Sequence, residues 1–587
     1  MKQSIIEKAK AWVKNDYFDS ASKKEIQDLI DTKDEKELTE RFYKDLSFGT
    51  GGIRSIIGQG LNRINKYTVR KATQALAETI KTQDPIDGKY KVAISYDNRR
   101  FSFDFAKEAA GVFAANGIHS YIYERLNPVP LLSFSVRYHK AHAGVMVTAS
   151  HNPPEYNGYK VYWSDGAQVT PPNDQNIIKN YYDIKDFSTI SHIDFERGLE
   201  EELIHWVGKD VEDAYYKITA PNCLRPELCK EKGKELKIIF TPIHGTGLVP
   251  CSRVLNDMGL KNFVVVPDQA EPDENFPTVK SPNPENPEAL AKAVALMKKE
   301  NADIVFGTDP DTDRLGIALP YKGQVVYPNG NQIGLLMLNY ILETKKEKND
   351  LPENPYFINT IVTTPLQKVI AEKFGVDTEC TLTGFKWICS KMKQIEETEP
   401  HRNFVFSTEE SFGYMNHNHV RDKDGVASVA LMAEIALWYK TRGMNLIDAL
   451  DEVYEKFGYS KENLLCLNYY GKEGAEKIER IMNKFRENIK ETFQDEPIES
   501  IEDYEKGELY NLETKSSQKF DFPSSNVLCY NLKSKARICV RPSGTEPKIK
   551  FYIMINENQG TLEEKKKSAE NKVEKILAFI KKQAELA

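Results

Sequence analysis

Three carboxylates stand at alternate positions in the segment GTDPDTDRLG: Asp309, Asp311 and Asp313. They follow the apolar run ADIVF, which reads as a buried strand. Carboxylates this close repel one another unless a cation lies among them. Hard oxygen donors select Mg2+ or Ca2+. The spacing opens like an EF-hand loop, but its sixth place is Arg314 instead of Gly and its twelfth is Pro320 instead of Glu, so that loop is excluded. Mg2+ is preferred, because a phosphate oxygen can complete its shell. The competing reading is a solvated acidic turn.

Ser150 follows a second apolar run, AGVMVTA, and precedes His151-Asn152-Pro153-Pro154. Asn and Pro stop the strand and force a turn, which lifts the hydroxyl into a crevice. The flanks are not G-x-S-x-G, so an esterase elbow is not expected. A serine nucleophile needs a base or a metal to activate it. On an extended segment His151 would point away from Ser150, so the two are not read as a dyad. A third segment, RPSGTEPKIKFY, sets Arg541, Ser543, Gly544 and Thr545 in a turn between two strands. A forked guanidinium, two hydroxyls and free backbone N–H groups suit a phosphate dianion. Three smaller features agree with these. FGTGGIR is a Gly-rich loop ending in Arg54, GFKWI supplies Lys386, and TEES supplies Glu409 and Ser411. A carboxylate beside a hydroxyl suits the vicinal hydroxyls of a sugar.

The elements that must carry these groups alternate strand and helix. From about residue 90 to 150 the order is KVAISYD, FDFAKEAAGVFAANG, SYIYE, PVPLLSFSVRYH and AGVMVTAS. The same order returns from about 236 to 311 and again from about 357 to 411. Such βαβ units imply mostly parallel sheets covered by helices. Ligands of open α/β sheets sit beyond the carboxyl ends of the strands, where TASHN, TDPDTDR and STEES fall. The expected divisions are a helical extension over 1–45, α/β domains over 46–190, 208–321 and 322–455, and a smaller α+β domain over 490–587. The Glu- and Lys-rich stretch from about 470 to 515 reads as a solvated helical face or linker.

The 587 residues carry 80 Lys+Arg and 87 Asp+Glu, a net charge of −7. Such a chain is not built as a bulk binder of nucleic acid or anionic membrane, and an anionic ligand would need a local cluster of positive groups. The eight cysteines form no CxxC pair, which predicts reduced thiols rather than a disulfide frame or zinc cage. The charged start lacks the apolar core of a secretory signal, and no apolar run reaches the ~18 residues of a membrane span. The expected compartment is the cytoplasm.

In order, FGTGGIR, TASHNPPEYNGYK, GTDPDTDR, GFKWI, TEESFGY with HVRDKDG, and RPSGTEP resemble the motifs of the α-D-phosphohexomutase superfamily, the phosphoglucomutase/phosphomannomutase enzymes. The resemblance runs from residue 48 to 547 and is most like the longer bacterial phosphoglucomutases. It implies a four-domain, heart-shaped α/β molecule: three related α/β domains and a smaller C-terminal α+β domain around a cleft. It implies Ser150 as the phosphoserine, and Asp309, Asp311 and Asp313 as Mg2+ ligands together with the Ser150 phosphoryl. Glu409 and Ser411 would read the sugar, with Lys386 and His419 also on the substrate side. Arg541, Ser543, Gly544 and Thr545 would hold the non-reacting phosphate. Arg54, His151, Lys160 and Arg314 would surround the transferring phosphoryl, Lys160 being preferred as proton shuttle over His151. Compact phosphomannomutases often place Gly-His after the Glu-x-Ser loop, whereas Phe412-Gly413-Tyr414 follows here. The implied reaction exchanges glucose 1-phosphate and glucose 6-phosphate through glucose 1,6-bisphosphate. Mannose or pentose phosphates are the alternative substrates. An aspartyl-phosphate phosphatase fits less well, because Asp313 stands where D-x-D-x-[TV] needs Thr or Val. A non-catalytic sugar-phosphate binder would be expected to lack the Ser or an Asp.

Overall fold

A computed structural model describes residues 2–49, 51–469, 471–488, 491–494, 496–543 and 548–586. The chain divides into two compact units, Met1–Pro328 with Gly413–Leu437, and Asn329–Phe412 with Trp438–Ala587.

The first unit opens with the helices Lys2–Lys14, Ser20–Asp31 and Glu35–Phe42. Asp19 and Asp34 cap the second and third by accepting the N–H groups of Ser22 and Glu37. These helices gather on Trp12, whose ring stacks on Phe18 at 3.8 Å and meets Phe42 and Tyr67 edge-on.

A six-stranded sheet follows, in the order Gly52–Ile56, Tyr156–Trp163, Ala143–Val147, Tyr90–Tyr96, Ile118–Tyr123, Ile204–Val207. Tyr90–Tyr96 lies parallel to both Ile118–Tyr123 and Ala143–Val147, while Tyr156–Trp163 pairs antiparallel with Ala143–Val147 on one side and with Gly52–Ile56 on the other. Every residue of Ala143–Val147 is buried, as expected of a strand covered on both faces. A second sheet repeats the plan: Ile238–Thr241 is parallel to Phe263–Val265 and Ile304–Thr308, and Leu315–Tyr321 then Gln324–Val326 add antiparallel edges.

In the second unit Pro355–Thr360 lies between Asp377–Thr381 and Asn403–Glu409, again parallel to both. In all three sheets the first strand of the βαβαβ run is central and the third lies directly beside it. The three passes of the sequence pattern are therefore three copies of one topology. The C-terminal part forms an eight-stranded sheet with Tyr459–Asn468, Lys548–Glu557, Arg537–Pro542, Leu528–Leu532 and Glu496–Asp503 in that order. The long helix Leu562–Glu585 packs on its first two strands.

Two expectations fail here. The stretch read as helical face or linker does contain the helix Gly471–Asn488, but Glu496–Asp503 and Glu508–Asn511 are strands of this sheet. Their charge hid them: Glu502 takes a two-pronged bond from Arg537 at 2.8 Å, and Asp503 accepts from Arg486 at 3.0 Å. Thiols were expected throughout, yet Cys529 and Cys539 face each other across the hairpin Leu528–Leu532/Arg537–Pro542 and are joined as a disulfide. Strand register, which spacing alone does not set, brings them together.

Candidate active site

The strand Ala143–Val147 ends in Thr148, and its hydroxyl donates to Asp97 Oδ2 at 2.6 Å while accepting the Ser150 N–H at 2.8 Å. The chain then turns so sharply that Ser150 takes a φ of 50°, a left-handed conformation that costs a non-glycine residue about 1 kcal/mol or more. This overturns the separation of Ser150 from His151. In an extended segment neighbours point to opposite sides, but the positive φ turns both inward, and Ser150 Oγ lies 3.3 Å from His151 Nδ1. Ser150 Oγ also donates to Asp309 Oδ2 at 2.8 Å. The backbone beneath is crowded: a Cβ on Gly158 would lie 2.3 Å from the Thr148 carbonyl oxygen, so only glycine fits there.

Arg99 holds this turn, and sequence reasoning missed it. Its guanidinium donates to the carbonyls of Ser150, Asn152, Pro153 and Tyr156. Its side chain is wholly buried beside Asp97. The signal was present in SYDNRR, where Asp and Arg follow the first strand, but nothing in one sequence links them to a loop fifty residues away. Arg99→Lys keeps the charge beside Asp97 and loses the fork. The expected result is a kcat lower by roughly 10²-fold with folding retained, because small displacements at a reacting atom have effects of that size. Steady-state rates beside a thermal melt check it.

The three aspartates are fully buried, at 0%, 0% and 2% exposure. Asp309 Oδ1 accepts the N–H groups of Asp313 and Arg314, both at 3.1 Å, so the loop wraps its first carboxylate. Lys160, on Tyr156–Trp163, donates to Asp311 Oδ2 at 2.7 Å and stands 3.7 Å from Asp313. Lys423 stands 3.2 Å from Asp313 Oδ2 and 3.0 Å from Asp422, whose other oxygen accepts from Tyr162 and Gln168. Lys423 belongs to HVRDKDG, a segment read for His419 alone. Arg314 is paired with Glu285, and Arg54, more exposed, donates to Asn152 Oδ1 at 3.0 Å.

These charges set the protonation. Burial and the neighbouring carboxylates push Asp309 far up. Burial also disfavours charge on Asp311, but the Lys160 ammonium outweighs it and holds the carboxyl well below its usual range. Burial, then Arg314 and Arg54, push His151 well down, so its imidazole is neutral at pH 7. The set fits a hard divalent cation: Asp311 Oδ1 and Asp313 Oδ1 are buried and accept no hydrogen bond, and the three carboxylates offer ligand atoms within 4.8 Å of one another.

His419 lies elsewhere in this unit. Its N–H donates to His417 Nδ1 and its ring stacks on His417 at 5.5 Å. Burial, then His417, Arg137 and Arg421, lower its pKa to about 4.

The second unit carries the remaining candidates. Ser411 Oγ donates to Glu409 Oε1 at 2.8 Å at the end of Asn403–Glu409. Arg541 lies close enough to act electrostatically on Glu410, its neighbour in that loop, and hydrogen-bonds Tyr552. Arg541, which opens the phosphate-type segment, thus lies near the sugar-type loop. The Ser543 N–H donates to the Lys548 carbonyl at 2.8 Å. Gly544 and Thr545 lie outside the described residues. Lys386 stands 4.7 Å over the ring of Trp387 at the start of Phe385–Thr398. A cavity of about 1020 Å3 in this unit is lined by Asn359, Glu502 and Arg537 and touches neither Glu409 nor Ser411.

Glu410 is the carboxylate of this loop next to Glu409. Burial and the adjacent Glu409 push its carboxyl up to about 7. A raised acid pKa favours the protonated folded state, so its stabilising contribution is complete below the ordinary 4.5 and disappears as pH rises through about 7. Glu410→Gln is expected to remove a pH-dependent loss on the order of 1–3 kcal/mol between pH 5 and 8. Melting temperatures of both chains across that range test it, and parallel profiles would refute it.

A buried serine among three aspartates and two lysines, on repeated α/β domains, defines an enzyme of the phosphohexomutase class. The comparisons agree. Family models described as phosphoglucomutase/phosphomannomutase alpha/beta/alpha domains I, II and III match residues 45–187, 214–322 and 329–457. The chain belongs to the phosphoglucomutase/phosphomannomutase family and is a mutase of the isomerase class. A phosphoglucomutase of Staphylococcus aureus is 36% identical over 533 residues, 90% of this chain and 93% of that one. One of Staphylococcus epidermidis is 35% identical over 547 residues, 93% and 97% of the two chains. Among solved structures, a putative phosphomannomutase from Thermus thermophilus superposes with a TM-score of 0.66 at 20% identity, covering 92% of this chain and 99% of that one. The open form of parafusin, a phosphoglucomutase from Paramecium, gives 0.65 at 18%, covering 92% and 95%. These two share the fold. No helix among the described residues is long and apolar enough to cross a membrane.

Proposed function

We propose that the chain interconverts glucose 1-phosphate and glucose 6-phosphate by way of a phosphoserine at Ser150. The observation that carries this is the Ser150 hydroxyl, 2.8 Å from Asp309 in a buried carboxylate triad that keeps two oxygens open. Phosphoryl transfer asks a protein mainly for positioning and charge neutralisation. The triad would hold Mg2+, which when bound supplies charge neutralisation at the phosphoryl group. Arg99 fixes the serine turn, and Arg54 lies at its edge. The phosphoryl passes from Ser150 Oγ to the free sugar hydroxyl, whose proton goes to a base. Lys160 is that base by preference, acting as the neutral amine after giving up its own proton, with neutral His151 second. Glucose 1,6-bisphosphate forms, exchanges its ends, and returns the other phosphoryl to Ser150. Glu409 and Ser411 bind the sugar hydroxyls, with Lys386 and His419 as further substrate-side groups. Arg541, Ser543, Gly544 and Thr545 hold the distal phosphate. The α/β domains are taken as 46–190, 208–321 and 322–455 and the last domain as 490–587, so the two phosphate positions fall in different domains.

Comparison of kcat/KM for glucose 1-phosphate, mannose 1-phosphate and ribose 1-phosphate tests the substrate. Preference for mannose or ribose would replace the sugar and leave the chemistry standing. Labelled phosphate found on Asp309 instead of Ser150 would replace the chemistry by that of an aspartyl phosphatase.

A further inference from the structure

Among the described residues, two groups of three side chains converge as metal ligands do. One is the aspartate triad, and the other is Cys223, Cys229 and Glu434. The second group has no part in the mutase reaction. Cys223 follows the turn Ala220–Asn222, Cys229 lies on the short helix Pro226–Lys232, and Glu434 lies on Gly425–Lys440. Glu434 and Cys229 are fully buried, while Cys223 is part-exposed.

Glu434 is the sole acidic residue of GVASVALMAEIALWYK, a helix otherwise uncharged until Lys440. The Leu224 N–H reaches Glu434 Oε1 at 3.1 Å. The other oxygen, Oε2, faces both sulfurs, in contact with Cys223 Sγ and 3.9 Å from Cys229 Sγ. The two sulfurs are 3.5 Å apart. Ligands at zinc–sulfur distance that subtend a tetrahedral angle stand about 3.8 Å from each other. Two soft sulfurs 3.5 Å apart, with one carboxylate oxygen beside both, match a thiophilic cation and not Mg2+.

We propose that Cys223, Cys229 and Glu434 form a second metal site, for a thiophilic divalent cation of the zinc class. The part-exposed Cys223 side leaves the fourth position to solvent. The cation clamps the segment 220–232 to the helix that begins two residues after Lys423.

Cobalt(II) titration of the full chain, reduced with a non-coordinating phosphine, tests this. Cobalt at the aspartate triad meets only oxygen and gives no thiolate-to-cobalt charge-transfer band. The expected result is such a band saturating at one equivalent, displaced by zinc, and unchanged in Asp311→Asn. Cys223→Ser and Cys229→Ser should each abolish it. Glu434→Gln, which keeps the shape of the buried group, should keep the band and weaken binding by at least about 10-fold. Absence of the band in the reduced chain, or its persistence in both serine variants, would overturn the proposal. If the serine variants do not fold, unchanged affinity in Glu434→Gln would overturn it alone.

Discussion

Ser150→Ala is expected to lower glucose 1-phosphate turnover on the order of 10³–10⁶-fold, the range seen when a covalent nucleophile is removed. The loss should fall on kcat, because Glu409, Ser411 and Arg541, assigned to the sugar and the distal phosphate, are in the other unit. Hydroxyls near the turn are already engaged, Ser281 Oγ by the His151 carbonyl at 2.8 Å. Thr148 Oγ1 is held by Asp97 at 2.6 Å, and Thr312 Oγ1 is 2.8 Å from Thr246 Oγ1. Alanine keeps the Cβ that already tolerates the positive φ, so the turn clamped by Arg99 should survive and the melt should move little. The direct measurement is label transfer from glucose 1,6-bisphosphate carrying radioactive phosphate. The native chain should retain label at Ser150 after denaturation, and the variant should retain none. Normal turnover in Ser150→Ala would end the phosphoserine reading.

Much of this site was legible because its chemistry is written in contiguous segments. TDPDTDR places three carboxylates together through local chain geometry alone, and the strand before it fixes their burial. Ser150 was legible for the same reason. What failed were features that depend on a single torsion or on distant register. The relation of Ser150 to His151 turns on one φ of 50°. Arg99 acts on carbonyls more than fifty residues away, and Lys423 reaches Asp313 from a segment over a hundred residues downstream. The strand Glu496–Asp503 was illegible because its charged residues are neutralised by Arg486 and Arg537 from neighbouring elements, which a periodicity count reads as solvent exposure. The net charge of −7 likewise concealed a site where Lys160, Lys423, Arg99, Arg314 and Arg54 gather around one serine turn. Global charge governs solubility and long-range encounter, while a phosphate is bound by what lies within a few ångströms.

Asp311→Asn should raise the Mg2+ concentration for half-maximal activity by at least ~10-fold and lower kcat by ~10²-fold at saturating metal. The native chain should lose turnover in EDTA and recover it when Mg2+ is restored. Asp311 is the clean position of the three. Asp309 Oδ1 binds two backbone N–H groups and Oδ2 binds Ser150, so an amide there would set an NH2 against a donor and disturb the loop itself. Asp313 is shared between Lys160 and Lys423, so its loss would disturb two cations. Asp311 accepts Lys160 on one oxygen and lies beside the Asp309 carboxyl, and its other oxygen accepts no hydrogen bond. An asparagine can keep the Lys160 contact through its carbonyl, and what disappears is the negative charge and the open oxygen. Removing one charge also leaves Lys160 and Lys423 facing fewer carboxylates, so the apo variant should melt no higher than the native chain in EDTA. A metal requirement unchanged in Asp311→Asn would mean that the carboxylates serve only to neutralise the lysines. Ser150 would then have to be activated by His151, the neutral imidazole 3.3 Å away.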